Sequence, residues 1–183
     1  MPTPRVYLSP SLQEFNLFVD EGTEEEYANY IVDAMEPYLI ASNIEFGRNS
    51  PEMSLSQAID ESNAGDYDFH LSIHSNAGPV SLSGQLQGPD VYYYADSVYG
   101  REMADIVVEN FKRIYPDESK VNTVPTVTFA ELRRTRVPAN LVEVAYHDNI
   151  EDAAWIKNNI DAIARELSRS LAEYFDVPFV EPS

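Results

Sequence analysis

The chain has 183 residues, 44% of them hydrophobic and 23% charged, which suits one folded domain and disfavours collagen-like, coiled-coil and disordered classes. Lys plus Arg is 12 against 31 Asp plus Glu, a net charge of -19, and such a surface repels the phosphate backbone of DNA or RNA. There are no cysteines, so disulfides, thiol nucleophiles and Cys-type zinc sites are excluded and a metal would need His, carboxylate or amide ligands.

Along the chain, Arg5 to Leu8 reads as a strand stopped by Ser9-Pro10-Ser11, with a polar loop to Gly22. Thr23 with Glu26 three residues on predicts a capping box. The helix it opens carries Tyr27, Tyr30, Ile31, Ala34, Met35, Tyr38 and Leu39 as an apolar stripe, with Pro37 predicting a kink or an early end. Ile44-Glu45-Phe46 reads as a second strand, and Ser54 to Gln57 opens a short helix that Asn63 and Gly65 close.

Asp66 to Asn76 alternates at period two, with Phe69, Leu71 and Ile73 on one face and His70, Ser72 and His74 on the other. A Gly-, Ser- and Pro-rich loop then runs to Asp90, Val91 to Tyr94 reads as a strand, and Ser97 caps a helix bearing Met103, Ile106, Val107, Phe111 and Ile114. Tyr115 to Thr128 reads as irregular, Asn140 to Ala145 as an apolar strand, and Glu151 to Asn158 and Ile160 to Phe175 as helices. Strands alternating with helices predict a single-domain α/β three-layer sandwich, its twisted sheet mostly parallel with helices on both faces. Ligands gather at the carboxyl ends of such strands, here Ser9 to Asn16, His74 to Gly78 and Glu143 to Asn149. No apolar run approaches the roughly 20 residues of a spanning helix, and the N-terminus shows no signal-peptide apolar region, so no membrane span and no export address are predicted.

Two of these segments carry chemistry. His74 ends a strand with buried character. His70 stands four residues earlier, about 13 Å away along a strand, too far for both to bind one ion. Glu143 interrupts an apolar strand. In a central strand its charge costs several kcal/mol unless paired or bound, whereas at an edge it would simply face water. The functional reading of Glu143 is a general base with an adjusted pKa.

Together, Glu25 followed at four residues by Asn29, the Ser72-Ile73-His74-Ser75-Asn76-Ala77 strand end, Leu132-Arg133 to Pro138-Ala139, Leu141-Val142-Glu143 and Asp148-Asn149 resemble a known family. It is the catalytic domain of zinc-dependent N-acetylmuramoyl-L-alanine amidases, the type 3 amidases of bacterial autolysins and phage endolysins. The resemblance spans residues 1–183 as one domain, with tails at about 1–4 and 176–183. It implies His74 and Glu25 as zinc ligands, Glu143 as the catalytic glutamate, and peptidoglycan as substrate. The bond cut would be the amide between the lactyl group of N-acetylmuramic acid and L-alanine of the stem peptide.

The family pattern also places a histidine after the first strand, where this chain has Ser9-Pro10-Ser11-Leu12-Gln13. Since a catalytic zinc normally has three protein ligands, the third position falls to Gln13, Glu14 or His147. Gln13 keeps a single net positive charge at the site, whereas Glu14 would cancel it and make bound water less acidic. The Ser-Pro-Ser-x-Gln loop resembles a family branch without that histidine, which implies Gln13.

Two further readings compete. One is an amidase-like pseudoenzyme that binds muropeptide or a protein partner without turnover. The other, a zinc carboxypeptidase-like hydrolase, leaves the Ile73 to Asn76 segment unexplained. The acidic surface would be repelled by anionic wall polymers, which predicts a separate wall-binding domain in the parent protein. The chain would then act on the bacterial cell wall as a phage or prophage lysin or as the catalytic part of a wall enzyme.

Overall fold

In the computed structural model, which describes residues 2–183, six strands form one sheet. They are β1 (Arg5–Pro10), β2 (Glu45–Arg48), β3 (Phe69–Asn76), β4 (Asp90–Tyr94), β5 (Asn122–Thr126) and β6 (Ala139–Tyr146), in the spatial order β2-β1-β3-β6-β4-β5. All neighbours pair in parallel except β4 and β6, which run antiparallel. This is the predicted mostly parallel α/β sheet, with β4 and β5 running opposite to the other four strands.

Six helices cover it: α1 (Glu24–Ala41), α2 (Leu55–Ala64), α3 (Val98–Phe111), α4 (Ala130–Arg134), α5 (Ile150–Asn158) and α6 (Ile160–Tyr174). The alternation of β3 assigns them to layers. Phe69, Leu71 and Ile73 join Val6, Leu8, Val142 and Val144 in an apolar core with Ile31, Met35, Val107, Phe111, Leu167 and Leu171 from α1, α3 and α6. At about 25 cal/mol per Å² of apolar surface removed from water, this core is the main stabilising term. On the opposite face, α2 and α4 lie over Tyr7, Ser9, His70 and Ser72: Tyr7 bonds Glu61, His70 bonds Ser62, and Ser9 and Ser72 bond Glu131. A small apolar cluster of Leu132, Ala139 and Leu141 completes that side.

Three local expectations change. The Thr23 hydroxyl caps α1 by accepting from the Glu26 amide at 3.1 Å, but the full reciprocal box belongs to Ser54 and Gln57 at α2. The first helix runs through Pro37 to Ala41, because the proline forfeits one bond while Tyr38 and Leu39 beyond it stay buried. The stretch read as irregular contains β5, which tolerates Pro125 because it is the outermost strand of the sheet. Among the described residues, no helix is long and apolar enough to cross a membrane.

Candidate active site

The site lies at the carboxyl ends of β1, β3 and β6. His74 and Glu143 are register partners on the central strands β3 and β6, so Glu143 is not an edge residue facing water. Both line a pocket of about 260 Å³ with Ser9, Ser11, Gln13 and Glu131, walled on its apolar side by Leu55, Phe129 and Leu141.

The loop after β1 brings in the first helix. Ser11 continues the strand pairing by donating to the Ile73 carbonyl. Residues 17–23 then fold into a small hairpin closed by a Leu17 to Thr23 bridge and turned at Gly22, whose φ of 89° suits glycine. The hairpin sets the start of α1 beside Asn16, and the Glu24 amide bonds the Asn16 carbonyl at 2.9 Å. As a result Glu24 points into the site. Its Oε1 lies 2.7 Å from His74 Nδ1, and Asn16 Nδ2 donates to its Oε2 at 2.6 Å.

Glu25, the residue expected to bind metal, does not meet His74. It turns along the helix to Asn29, whose amide nitrogen donates to its carbonyl at 2.9 Å and to its carboxylate at 3.4 Å. Successive helix residues point about 100° apart, so an error of one position moves the carboxylate off the site. Gln13 is in place, with its amide nitrogen 3.4 Å from His74 Nδ1 and 3.5 Å from Glu24. Asn16 donates to the Gln13 oxygen at 3.0 Å. Glu14 is exposed. His147 is buried but engaged elsewhere, with Nδ1 2.9 Å from Ser75 Oγ and its ring stacked on Phe18.

Glu131 on α4, which no sequence pattern singles out, is central to the site. Fully buried, it binds Ser9 through Oε1 at 2.5 Å and Ser72 through Oε2 at 2.7 Å. It also meets His70 Nε2 at 3.1 Å and His74 Nε2 at 3.4 Å. Its partners lie 57 to 122 residues away in sequence, so no local pattern marks it. The one available clue is a lone carboxylate at Glu131 between Ala130 and Leu132, just before an apolar strand.

The charges follow from these contacts. Burial alone would lower the His74 pKa, but the bonds to Glu131 and Glu24 overturn that and raise it well above the usual histidine value. Burial would likewise raise Glu131, yet the bonds from His70 and His74 hold it well below the usual carboxylate range. Glu24 is lowered in the same way, its burial outweighed by His74, Asn16 and Ser11. Glu143 behaves differently. Burial pushes it up to about 7, and its Oε2 has no hydrogen-bond partner among the described residues.

Whether these residues suit a metal can be tested on the donor set. One carboxylate oxygen and one imidazole nitrogen, both ordinary zinc ligands, converge within 2.7 Å at Glu24 and His74. Among the described residues no cluster of three His, Asp or Glu side chains has metal-holding geometry. Beside the pair stands the Gln13 amide, whose nitrogen faces His74 Nδ1 at 3.4 Å and whose oxygen accepts from Asn16, so offering that oxygen to a metal would require the amide to turn and give up the bond from Asn16.

A family model described as N-acetylmuramoyl-L-alanine amidase matches residues 17–173. A curated relative, the N-acetylmuramoyl-L-alanine amidase CwlM of Bacillus licheniformis, is 32% identical over 129 residues, covering 68% of this chain and 47% of its own length. The chain thus spans about half of that relative. Among solved structures, the amidase AmiC2 of Nostoc punctiforme superposes with a TM-score of 0.83 at 17% identity, over 96% of this chain and 98% of that one. The catalytic domain of the amidase CwlV from Bacillus (Paenibacillus) polymyxa gives 0.80 at 18% identity, over 96% and 99%. At these identities the superpositions establish the shared fold.

Proposed function

The chain belongs to the N-acetylmuramoyl-L-alanine amidase family, and from that premise we propose that it hydrolyses the amide between N-acetylmuramic acid and L-alanine of the peptidoglycan stem. The observation that carries this reading is Glu143, a carboxylate buried in a central strand, unpartnered at Oε2 and set beside His74 in a pocket. A module that only bound muropeptide would have no use for such a group, since burying it unpaired costs stability.

Glu24 and His74 would hold a zinc ion, with the Gln13 amide oxygen as third ligand. Bound there, zinc supplies a Lewis acid that acidifies water and polarises the scissile carbonyl. The remaining work falls to the protein. Glu143 Oε2 takes the proton from the attacking water and returns it to the nitrogen of the leaving L-alanine. A pKa near 7 suits both the acceptance and the return. Leu55, Phe129 and Leu141 shield the site from bulk water, which strengthens each of these interactions.

The net charge of -19 disfavours adhesion to anionic wall polymers, so wall attachment is assigned to a separate domain of the parent protein. The test is incubation of the zinc-loaded protein with purified muropeptides, followed by mass spectrometry. The proposal expects intact stem peptides with a free L-alanine amino group and sugars that retain their lactyl carboxylate. Cleavage within the stem, or none with zinc bound, would contradict it.

A further inference from the structure

We infer that Glu131 is the positioning residue of this site, fixing the His74 ring so that Nδ1, rather than Nε2, faces Glu24 and the pocket. The inference rests on the proposed metal role of His74. Its support is the number of donors that meet on one buried carboxylate. Ser9 Oγ and His70 Nε2 reach Oε1, while Ser72 Oγ and His74 Nε2 reach Oε2.

An ionised carboxylate has about four acceptor positions and no donor, so four converging donors fill it. Ser62 Oγ stands 2.8 Å from His70 Nδ1, which lets its hydroxyl donate there and leaves the His70 proton on Nε2, directed at Glu131. At His74 both ring nitrogens direct N–H groups at carboxylates, Nε2 at Glu131 Oε2 and Nδ1 at Glu24 Oε1 2.7 Å away, so a metal held with Glu24 would take the place of the Nδ1 proton while Glu131 keeps the one on Nε2. A carboxylate that orients a metal-binding imidazole through its other nitrogen fixes the ring's tautomer and raises its basicity. Glu131 sits on a five-residue helix (Ala130–Arg134) packed against β6 and β4, from which its carboxylate reaches β1 and β3, and none of its four partners comes from its own helix.

Glutamine is the discriminating substitution, because its amide can accept at the oxygen but must donate at the nitrogen. In Glu131→Gln the NH2 group necessarily faces one of the two histidine–serine pairs, and the clamp cannot be rebuilt. Ser72→Ala is the control, removing one donor while leaving the His74 contact intact.

The experiment combines a zinc-affinity measurement by chelator competition with 15N NMR of the histidine side chains, on the wild type and both variants. In the zinc-loaded wild type the His74 proton is expected on Nε2. Glu131→Gln is expected to weaken zinc binding about 10- to 100-fold and to move or broaden the His74 Nε2 proton signal, with Ser72→Ala near wild type on both readouts. Should the folded Glu131→Gln protein keep wild-type zinc affinity and an unchanged His74 signal, Glu131 is only a structural anchor and the inference falls. If that variant does not fold, the wild type alone decides: a zinc-loaded His74 with Nε2 unprotonated overturns the inference. If the wild type binds no zinc, the metal reading fails on its own. The metal-free His74 Nε2 signal, present in the wild type and displaced in Glu131→Gln, then still judges Glu131.

Discussion

The two faces of β3 are built from one alternating run and serve opposite ends. Phe69, Leu71 and Ile73 enter a continuous apolar core, whereas His70, Ser72 and His74 enter a layer of hydrogen-bonded polar groups that is almost equally buried. Transfer from water stabilises the first face and tolerates imprecise geometry. The second is stable only while every donor finds an acceptor, since a buried polar group left alone costs about 1 to 3 kcal/mol. The same strand therefore supplies stability on one side and a rigid, orientation-specific site on the other. Glu143 Oε2 has no hydrogen-bond partner among the described residues, and Glu143 is also the group assigned to proton transfer.

The sharpest break between the faces should come from the carboxylates at the start of α1. Glu24→Ala and His74→Ala are expected to abolish zinc binding and turnover while the protein remains folded, and Glu25→Ala to preserve both. Metal content and muropeptide hydrolysis measured on the three proteins check this, and loss of zinc in Glu25→Ala alone would reverse the assignment. On the apolar face, Leu71→Ala should cost about 2 to 5 kcal/mol of stability yet leave turnover per folded molecule unchanged, as read by urea denaturation beside a rate assay.

A smaller effect separates the faces by pH. Burial raises the Glu143 carboxyl from 4.5 to about 7, so the folded metal-free protein holds a proton there that the unfolded chain has already released. The stability contributed by that proton is fully present below pH 4.5 and is lost as pH rises through about 7. Glu143→Gln, which carries no charge, should therefore gain on the order of 3 kcal/mol over wild type above that window and little below it. Denaturation at pH 4 and pH 8 reads the difference. The smallest expected change is at Gln13: Gln13→Ala should weaken zinc binding several-fold and Gln13→His should tighten it, measured by competition with a chelator. An unchanged affinity in both would remove Gln13 from the ligand set.

Much of this was legible in the sequence. The period-two run of β3, the lone carboxylate of β6 and the strand–helix alternation follow from local rules, and they place His74 and Glu143 at strand ends facing one pocket. Glu24 was missed in favour of Glu25 because adjacent glutamates differ only in the rotation at which the helix begins. That rotation is fixed by the hairpin at Gly22 and the bond from the Glu24 amide to the Asn16 carbonyl. The spacing from Glu25 to Asn29 misled for a related reason, since Asn29 serves the helix backbone and Arg48. Glu131 was invisible because its meaning lies in contacts made to two distant strands, β1 and β3, and β5 because an edge strand needs no apolar alternation.

The claim on which the rest depends is that Glu143 performs chemistry at a metal held by its neighbours. The most direct test is the muropeptide turnover of Glu143→Gln in a preparation shown to carry as much zinc as the wild type. The account predicts equal zinc and a rate lower by about 10² to 10⁴. Turnover close to wild type at equal zinc would contradict it and leave Glu143 a buried carboxylate without a catalytic role.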